Sequence, residues 1–306
     1  MDELPKLIVI LGPTASGKTV LANTLANKFN GEIISADSRQ VYKHMKIGTD
    51  VPEGKWKDGK YMVQGAPNYL MDCIEPDQEF SLADFKKRAV EIIKDIHARG
   101  KLPFLVGGTG LYISSLVDNF DIPKIEPDQK LRKELESKTL GELVKIIKEK
   151  DPASAEIIDL NNPRRVVRAL EVVLSTGVSF IEQRTKSKPR FDVLQIGVKR
   201  PRQELYERVN QRVDEQIKQG LVEEVMGLLA RDYSWDLPSM SGLGYRQFRE
   251  YLSGKQGLGD AVEVLKRDIR RYAKRQISWF KRDQRIKWIE PGDLDVCFQM
   301  ITEHTL

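Results

Sequence analysis

Apolar runs and helical periodicities alternate along the first third of the chain. Leu7 to Leu11 is a continuous apolar run, which is typical of a strand buried on both faces of a parallel sheet. A glycine-rich turn follows, and then a helical pattern over residues 18–29. Ser81 is a suitable N-cap for a helix that ends near Gly100. Further strand-like runs lie at 32–35, 103–106 and 193–198. Strands that alternate with helices predict an α/β fold, with a parallel sheet core flanked by helices.

The pattern changes after Asp118. Between Pro127 and about residue 176 the apolar spacing is helical and no convincing strand occurs, and Thr139 and Glu142 have the spacing of a capping box. We therefore predict an all-helical insertion domain at residues 119–190, which ends in a linker over Lys186 to Arg190. The core then comprises residues 1–118 and 191–306, with long helices predicted over 203–219, 221–231 and 258–281.

The composition of the 306 residues is that of a globular protein, with 40% hydrophobic and 31% charged residues. No apolar run reaches the ~18 residues that a membrane-spanning helix needs. The first residues do not resemble a leader peptide. Two cysteines, Cys73 and Cys297, are too few for a disulfide framework or a four-ligand zinc site. We expect a cytoplasmic protein that is a monomer and does not associate with membranes.

The turn after the first strand carries a specific motif. The segment GPTASGKT has two glycines that bracket four residues and precede Lys-Thr, which is the Walker A pattern in its usual strand-to-helix context. Backbone N–H groups and the helix N-terminus would face bound phosphates there. Lys18 adds a mobile charge, and the Thr19 hydroxyl can ligate Mg²⁺. The predicted phosphate-binding residues are Gly12, Pro13, Thr14, Ala15, Ser16, Gly17, Lys18 and Thr19.

Two further segments lie where predicted strands end, which is the side of a parallel sheet that faces ligands. Asp37 lies in SADSRQVY, and it could ligate magnesium, act as a general base, or only cap a helix or loop. Thr109 lies in GGTGLY, where it could hydrogen-bond a ligand. The glycines around Thr109 either allow a ligand to approach closely or form a plain strand-to-helix turn.

Positive charge is concentrated in two predicted helices of this chain, whose net charge is +5. Cations of the last long helix and its end are Lys266, Arg267, Arg270, Arg271, Lys274, Arg275, Lys281 and Arg282. A second cluster is Arg164, Arg165 and Arg168, with Val166 and Val167 on its expected core side. Such stripes are either solvated faces or surfaces that bind a polyanion such as an RNA hairpin. The tryptophans that could stack on bases or anchor the core are Trp235, Trp279 and Trp288.

Taken together, several motifs resemble the tRNA dimethylallyltransferase family of bacterial type. They are GPTASGKT, SADSRQVY, GGTGLY, NNPRRVVRALEV, GLGYRQ and YAKRQISWF, and they occur in the family's order over nearly the whole chain. The resemblance implies a P-loop NTPase-like core with a helical insert that clasps the anticodon stem-loop of tRNA. It implies transfer of a dimethylallyl group from dimethylallyl diphosphate to N6 of an adenosine next to the anticodon, with release of diphosphate.

The resemblance also implies roles for individual residues. The phosphate loop would hold the diphosphate with Mg²⁺, and the implied catalytic residues are Asp37 as general base, Thr109 near the acceptor, and Lys18 and Arg212 on the diphosphate. The implied tRNA contacts are Asp37, Ser38, Arg39, Gln40, Arg164, Arg165, Val166, Val167 and Arg168. Asn162 stands where the family often has Asp, and it can still cap the following helix. We expect no equivalent of the C-terminal zinc finger of eukaryotic members.

Three other functions would explain part of the pattern. A small-molecule kinase of P-loop type would leave the basic helices unused. An adenylate isopentenyltransferase, which prenylates free nucleotides, would share the loop and the acid but needs no extended basic surface. An RNA-binding NTPase switch would use both features, and it should hydrolyse ATP or GTP.

Overall fold

A computed structural model describes residues 4–120, 128–182 and 187–306 of the chain. The chain forms two compact units, which we call the core unit (residues 1–117 and 190–306) and the insert unit (residues 118–189). The predicted start of the insert's helices at Pro127 and the first residue of the predicted linker, Lys186, lie outside the described residues. Within the described part of the chain, no helix is both long and apolar enough to cross a membrane.

Eight strands form one sheet in the core unit. They are β1 (Lys6–Leu11), β2 (Gly31–Ser35), β3 (Lys55–Lys57), β4 (Lys60–Val63), β5 (Ala66–Tyr69), β6 (Leu102–Gly107), β7 (Asp192–Val198) and β8 (Lys287–Ile289). Their order across the sheet is β3-β4-β5-β2-β6-β1-β7-β8. The run from β5 to β8 is paired in parallel, whereas β3, β4 and β5 are antiparallel neighbours. The predicted α/β fold with a P-loop-like parallel core is confirmed, with an antiparallel edge that the sequence analysis did not predict.

The antiparallel edge has a local cause in the sequence. Asp58 and Gly59 separate β3 from β4, and both have positive φ values, 50° and 73°. A two-residue Asp-Gly loop is favoured between antiparallel strands, because its twist matches theirs. Gln64 and Gly65, with φ values of 48° and 89°, make the same kind of connection between β4 and β5. Three exposed residues in β3, with two lysines, then end the sheet at this edge in a form that discourages further pairing.

The helices are α1 (Lys18–Lys28), α2 (Leu82–Ala98), α3 (Gly110–Val117), α4 (Gln129–Glu136), α5 (Leu140–Lys150), α6 (Pro152–Ile157), α7 (Pro163–Thr176), α8 (Arg202–Lys218), α9 (Leu221–Leu229), α10 (Arg249–Leu252), α11 (Leu258–Phe280) and α12 (Leu294–Thr305). Ser81 caps α2 as predicted, in a capping box with Asp84. The long helices predicted after β7 are present as α8, α9 and α11. The short β8 and the helix α12 were not predicted.

The central strand β1 explains why the sequence begins with an uninterrupted apolar run. Each residue from Leu7 to Leu11 is fully buried. Alternate residues of β1 belong to two separate hydrophobic clusters. One contains Phe85 and Ile93 of α2, and the other contains Leu25 of α1 and Ile301 of α12. The sheet is therefore covered on both faces, as a parallel sheet requires.

In the insert unit, the regular elements of the described residues are the helices α4 to α7. Their core contains Leu143 and Ile147 of α5 with Val166 and Leu170 of α7. Thr139 begins α5 in the predicted capping box with Glu142. Asn162 caps α7 by accepting a hydrogen bond from the N–H of Arg165. The Asn at this position therefore does the capping that the sequence analysis expected of it.

Candidate active site at the carboxyl ends of the strands

The phosphate-binding motif forms a tight loop between β1 and α1. Ala15 and Gly17 have left-handed backbone conformations, with φ values of 63° and 96°. Gly17 is the N-cap of α1, and it has no side chain that could satisfy the first N–H groups of the helix. These N–H groups and the positive end of the helix dipole are thus left for a bound anion.

Arginines from α8 and the residues before it bind the carbonyls of this loop. Arg208 donates from Nε to the carbonyl of Ala15 at 3.0 Å, and Arg200 donates from Nε to the carbonyl of Ser16 at 2.9 Å. These two bonds hold the carbonyls of Ala15 and Ser16 in place. The arginines therefore fix the loop's shape and add positive charge beside it.

Arg212 lies one helical turn beyond Arg208, and it reaches the cavity side of the loop. Its guanidinium donates to the Thr14 hydroxyl at 3.0 Å and pairs with the Asp50 carboxylate at 2.8 Å. Asp50 is about half exposed and has a positive φ of 56°. Arg212 is thus placed to bind a second anion next to the loop, in competition with Asp50.

Lys18 lies in the loop with little compensating charge. Its ammonium donates to the carbonyl of Pro13 at 3.3 Å. Burial and the positive charge of Arg212 lower the pKa of Lys18 to about 8, although Asp37 and Asp50 act in the opposite direction. A bound diphosphate would supply the missing negative charge and return this pKa toward its ordinary value of 10.5.

Asp37 follows β2 and is oriented by the backbone that comes after it. Its Oδ1 accepts hydrogen bonds from the N–H groups of Arg39 at 2.8 Å and Gln40 at 3.4 Å. The carboxylate also lines the same cavity as Lys18. One oxygen therefore fixes the side chain, as a loop cap would, and Oδ2 remains for a proton or a ligand.

Thr109 is tied to both Asp37's loop and α11. Its hydroxyl accepts a hydrogen bond from the N–H of Ser38 at 3.2 Å. The Tyr272 side chain lies near Thr109, and burial together with the charge of Asp37 raises the pKa of Tyr272 to about 12. Tyr272 is therefore a protonated hydroxyl at neutral pH, near the Asp37 carboxylate.

Two of the three glycines of GGTGLY, Gly108 and Gly110, make room for α11. A Cβ atom at Gly108 would lie 2.2 Å from Nε2 of Gln276, and one at Gly110 would lie 2.4 Å from the ring of Trp279. Both distances are too short for any side chain. Neither of the two explanations offered from the sequence alone includes this close approach of a helix from the far end of the chain.

A cavity of about 490 Å³ lies between the phosphate loop and Asp37, and the predicted residues Gly12, Pro13, Ser16 and Thr109 do not line it. The predicted residues that line it are Thr14, Ala15, Gly17, Lys18, Thr19, Asp37, Ser38, Arg39, Gln40 and Arg212. Lining residues that were not assigned to the site from the sequence include Asp50, Arg208, Tyr272, Arg275 and Gln276. The four-residue spacing of Arg208 and Arg212 was a usable clue. Tyr272, Arg275 and Gln276 stand in the YAKRQISWF motif, which does not by itself indicate a position beside the phosphate loop. Asp50 had no such signal.

Arg39 and Gln40 build the wall of this cavity. Arg39 donates to the carbonyl of Pro238 at 2.6 Å and to the Ser241 hydroxyl at 3.4 Å. The Gln40 amide donates to the carbonyls of Thr49 and Asp50 at 3.3 and 3.0 Å. A tRNA contact by the Arg39 guanidinium would therefore replace or share existing hydrogen bonds.

The predicted contacts on α7 divide into two groups. Val166 and Val167 are 0% and 4% exposed, so their side chains pack inside the core of the insert unit. The tRNA contact predicted at these two positions stays a prediction for their main chain alone. Arg164 and Arg165 are exposed. Arg168 forms an ion pair with the buried Glu171 at 3.2 Å. Two of the five predicted side chains on α7 thus face solvent without the restraint that Glu171 imposes on Arg168.

The basic stripe of α11 also divides. Near its start, Lys266 pairs with Asp214 at 2.7 Å and Arg267 with Asp268 at 3.5 Å. Farther along, Lys274 and Arg275 are exposed, and Arg275 lines the cavity and lies over the ring of Tyr272. The tryptophans are partly buried and pack against hydrophobic clusters, which favours their role as core anchors over base stacking.

Comparison with known proteins places this site in a family. The family model described as IPP transferase matches residues 40–283. The chain belongs to the IPP transferase family. This member of the IPP transferase family is 48% identical over 297 residues to the tRNA dimethylallyltransferase of Thermoanaerobacter sp. (strain X514), covering 94% of this chain and 92% of that relative. It is 45% identical over 299 residues to the tRNA dimethylallyltransferase of Acetivibrio thermocellus, covering 95% of this chain and 94% of the relative.

Two solved structures share the fold of this chain over nearly all of its length. The full-length tRNA isopentenylpyrophosphate transferase of Bacillus halodurans superimposes with a TM-score of 0.71 at 37% identity, covering 98% of this chain and 96% of that one. A eukaryotic dimethylallyltransferase, described as acting on tRNA, superimposes with a TM-score of 0.78 at 29% identity, covering 95% of this chain and 75% of that one. The resemblance identified from the sequence motifs is confirmed.

Proposed function

We propose that this IPP transferase moves a dimethylallyl group from dimethylallyl diphosphate to N6 of an adenosine next to the anticodon of tRNA, with release of diphosphate. The observation that carries the assignment is the single cavity that holds a phosphate loop with unmatched positive charge and faces Asp37. The tRNA-modifying relatives, which are similar over more than nine-tenths of the chain, support tRNA as the acceptor. A free-nucleotide acceptor or a kinase reaction is not favoured by these relatives.

The phosphate loop serves the leaving group in this proposal. As the C–O bond to the allylic carbon breaks, negative charge grows on the diphosphate. The N–H groups at the start of α1, Lys18 and Arg212 surround the place where this charge develops. Fixed donors and charges that face a developing anion lower the barrier, because they need little rearrangement during the reaction. ATP hydrolysis is not required.

Magnesium fits this site as a partner of the diphosphate. Within the described residues there is no group of three or more His, Cys, Asp or Glu side chains that could hold a metal by itself. Mg²⁺ commonly keeps several waters and binds through one or two protein oxygens together with substrate phosphates. Thr19, which lines the cavity, would supply such an oxygen, and the ion would neutralise part of the diphosphate charge.

Asp37 is assigned to the acceptor. The exocyclic amine of adenine is a weak nucleophile, because its lone pair is delocalised into the ring. A carboxylate that removes an N6 proton as the new C–N bond forms avoids a cationic product. Asp37 Oδ1 is held by two backbone N–H groups, so its other oxygen, Oδ2, is the one assigned to the proton. Thr109 and Tyr272 would orient the adenine next to the Asp37 carboxylate.

The acceptor must leave the RNA stack to enter the cavity, which costs a few kcal/mol, and less for an unpaired loop base. Exposed cations are available to bind the surrounding phosphates. They include Lys274 and Arg275 in the core unit, and Arg164 and Arg165 in the insert unit. Such contacts release counterions from RNA, so binding should weaken as salt rises.

A direct experiment is to incubate the protein with Mg²⁺, labelled dimethylallyl diphosphate and tRNA that lacks the modification. The proposal predicts that label enters tRNA at a single adenosine, with one diphosphate released per label. Label that enters AMP but not tRNA would support an adenylate isopentenyltransferase instead. ATP or GTP hydrolysis without any transfer of label would support an NTPase switch or a kinase.

A further inference from the structure

One buried amide bridges the two loops that this reaction must bring together. Gln276 of α11 is 5% exposed and lines the cavity. Its Oε1 accepts a hydrogen bond from the N–H of Thr14 at 2.9 Å, and its Nε2 donates to the carbonyl of Gly108 at 2.8 Å. Thr14 belongs to the phosphate loop, and Gly108 immediately precedes Thr109. A single side chain thus joins the donor side of the cavity to the acceptor side.

The chemistry of this bridge requires glutamine. One loop presents an N–H and the other a carbonyl, so the group between them must accept on one side and donate on the other. A carboxamide does both without charge. An ionised glutamate could accept from Thr14 but would place negative charge against the carbonyl of Gly108. Gly108 in turn must lack a side chain, because its Cβ would lie 2.2 Å from Nε2.

Both ends of the bridge connect directly to groups assigned to the reaction. The Thr14 hydroxyl accepts a hydrogen bond from Arg212, which faces the diphosphate site. The Thr109 hydroxyl accepts from the N–H of Ser38, next to Asp37. Tyr272, one turn before Gln276 on the same helix, lies near Thr109 as well. The end of α11 therefore fixes the distance between the phosphate loop and the loop of Gly108 and Thr109, which lies beside Asp37.

We infer that Gln276 is a positioning residue that fixes the distance between the bound diphosphate and the acceptor base. This inference rests on the proposed transfer reaction. Misplacement of reacting groups by about 1 Å can cost about 10²-fold in rate. Loss of the bridge should therefore reduce the rate of the chemical step, while each substrate alone still finds its own binding groups. Gln276 touches neither reacting atom in this account.

The test compares Gln276→Met, which keeps the shape and removes both hydrogen bonds, with Gly108→Ala, which pushes the amide away from the opposite side. The matched control is Gln195→Met. Gln195 is 4% exposed in β7, donates from Nε2 to Asp283 at 3.0 Å and does not line the cavity. The measurements are the single-turnover rate of label transfer to saturating tRNA, the affinities for pyrophosphate and for tRNA, and the melting temperature.

We expect both site variants to lose about 10²-fold in single-turnover rate, with affinities for pyrophosphate and tRNA close to those of the wild type. The control should lose stability and keep its rate. Rates of Gln276→Met near the wild-type value, or a loss that follows melting temperature equally in all three variants, would overturn the inference. A parallel loss of pyrophosphate affinity would also overturn it, since Gln276 would then serve the phosphate loop alone. Wild-type protein that transfers no label would instead contradict the proposed function.

A second variant of Gln276 distinguishes a positioning role from a packing role, because its transfer rate should depend on pH. Gln276→Glu keeps the acceptor for Thr14, and its carboxyl group can donate to Gly108 only when protonated. The ratio of its rate to the wild-type rate should therefore rise as pH falls. A ratio that stays flat with pH, together with a wild-type rate for Gln276→Met, would leave no positioning role for this amide.

Discussion

Strand β2 has a carboxylate near each end, Glu32 and Asp37, and the surroundings of the two carboxylates differ greatly. Glu32, near its start, is fully buried and surrounded by opposite charge. Its two oxygens bind the Arg99 guanidinium at 2.5 and 2.7 Å, the Lys101 ammonium at 2.8 Å and the Tyr69 hydroxyl at 2.6 Å. Asp37, beyond its other end, binds two backbone N–H groups through one oxygen and faces a cavity with the other.

The difference lies in charge balance. At the amino end of β2, burial alone would raise the pKa of Glu32, but the hydrogen bonds from Arg99, Lys101 and Tyr69 outweigh it and hold this pKa far below its ordinary value. At the carboxyl end, Lys18 lacks such balance, and its pKa is lowered to about 8. A closed charge cluster serves stability, whereas a cavity with unsatisfied charge is prepared for a ligand.

The largest expected effect is on the rate of transfer, when Asp37 at the cavity end of β2 is changed. Asp37→Asn preserves size and the acceptor for the N–H groups of Arg39 and Gln40, but it removes the base. The single-turnover rate of label transfer should fall by ~10²–10⁴-fold, with tRNA affinity nearly unchanged. Asp77→Asn, at an exposed carboxylate outside the cavity, is the control. If Asp37→Asn weakens tRNA binding but transfers label at the normal rate once saturated, Asp37 is a binding residue.

A slightly smaller loss is expected from the phosphate loop. Lys18→Ala removes a cation that faces the leaving group, and deletions of comparable oxyanion-stabilising donors cost about 10²–10³-fold. The rate of label transfer should fall by that factor while tRNA affinity survives. Lys28→Ala, at the exposed far end of α1, tests whether any lysine of this helix would have the same effect. Normal turnover by Lys18→Ala would show that the loop does not serve catalysis.

Changes in the charge cluster around Glu32 should alter the stability of the protein rather than its activity. Glu32→Gln removes the counter-charge of Lys101 and one of the two carboxylates that bind Arg99, which keeps its pair with Asp95. Removal of one partner of a buried ion pair costs about 3–5 kcal/mol. We expect the low end of this range, because both cations are about 30% exposed and can be hydrated. Chemical denaturation measures the change. An unaltered unfolding free energy would show that the cluster contributes nothing net.

The same cluster predicts acid sensitivity with a definite sign. Because the pKa of Glu32 is lower in the folded state than its ordinary 4.5, the unfolded chain binds more protons between the two values. The stability from Glu32 is therefore present above about pH 4.5 and is lost as pH falls below it. Glu32→Gln should have a shallower loss of stability in acid than the wild type.

A moderate effect of pH is expected on the affinity of the phosphate loop for pyrophosphate. Bound pyrophosphate should raise the pKa of Lys18 from about 8 toward 10.5, so binding takes up a proton above pH 8. Affinity should consequently fall as pH rises, by at most about tenfold per pH unit for one proton. Calorimetric titration from pH 7 to 9 measures it, with Lys18→Arg, which stays charged, as the control for ionisation of the ligand. Identical pH profiles in both proteins would exclude Lys18 as the titrating group.

The smallest effects test the same contrast between free and balanced charge in the insert unit. Arg164 and Arg165 are exposed, whereas Arg168 is paired with Glu171. If the exposed pair binds RNA phosphates, Arg164→Ala and Arg165→Ala should each flatten the slope of log affinity against log salt by ~0.7–0.9. Arg168→Ala should flatten it less. Equal slopes in all three variants and the wild type would place the RNA contacts elsewhere.

Local sequence patterns were sufficient for much of the fold and for the phosphate loop. The apolar run of β1, the capping boxes at Ser81 and Thr139 and the Walker A spacing each depend on neighbours in sequence, so they could be predicted. The Asp58-Gly59 turn was an equally local pattern that was overlooked. Gln276 and Asp50 could not be assigned to the site, because their roles arise from contacts with residues far away along the chain. Val166 and Val167 were assigned to tRNA by resemblance, although their apolar spacing already indicated the core.

The most direct test of the account measures Asp37→Asn and Glu32→Gln side by side. Each replaces one carboxylate of the same strand region by its amide, and each is assayed for single-turnover label transfer to tRNA and for unfolding free energy. The account predicts that Asp37→Asn loses ~10²–10⁴-fold in rate and keeps most of its stability. It predicts that Glu32→Gln loses about 3 kcal/mol of stability and, while folded, transfers label at the wild-type rate. Normal transfer by Asp37→Asn, or a rate loss in folded Glu32→Gln as large as that of Asp37→Asn, would contradict it.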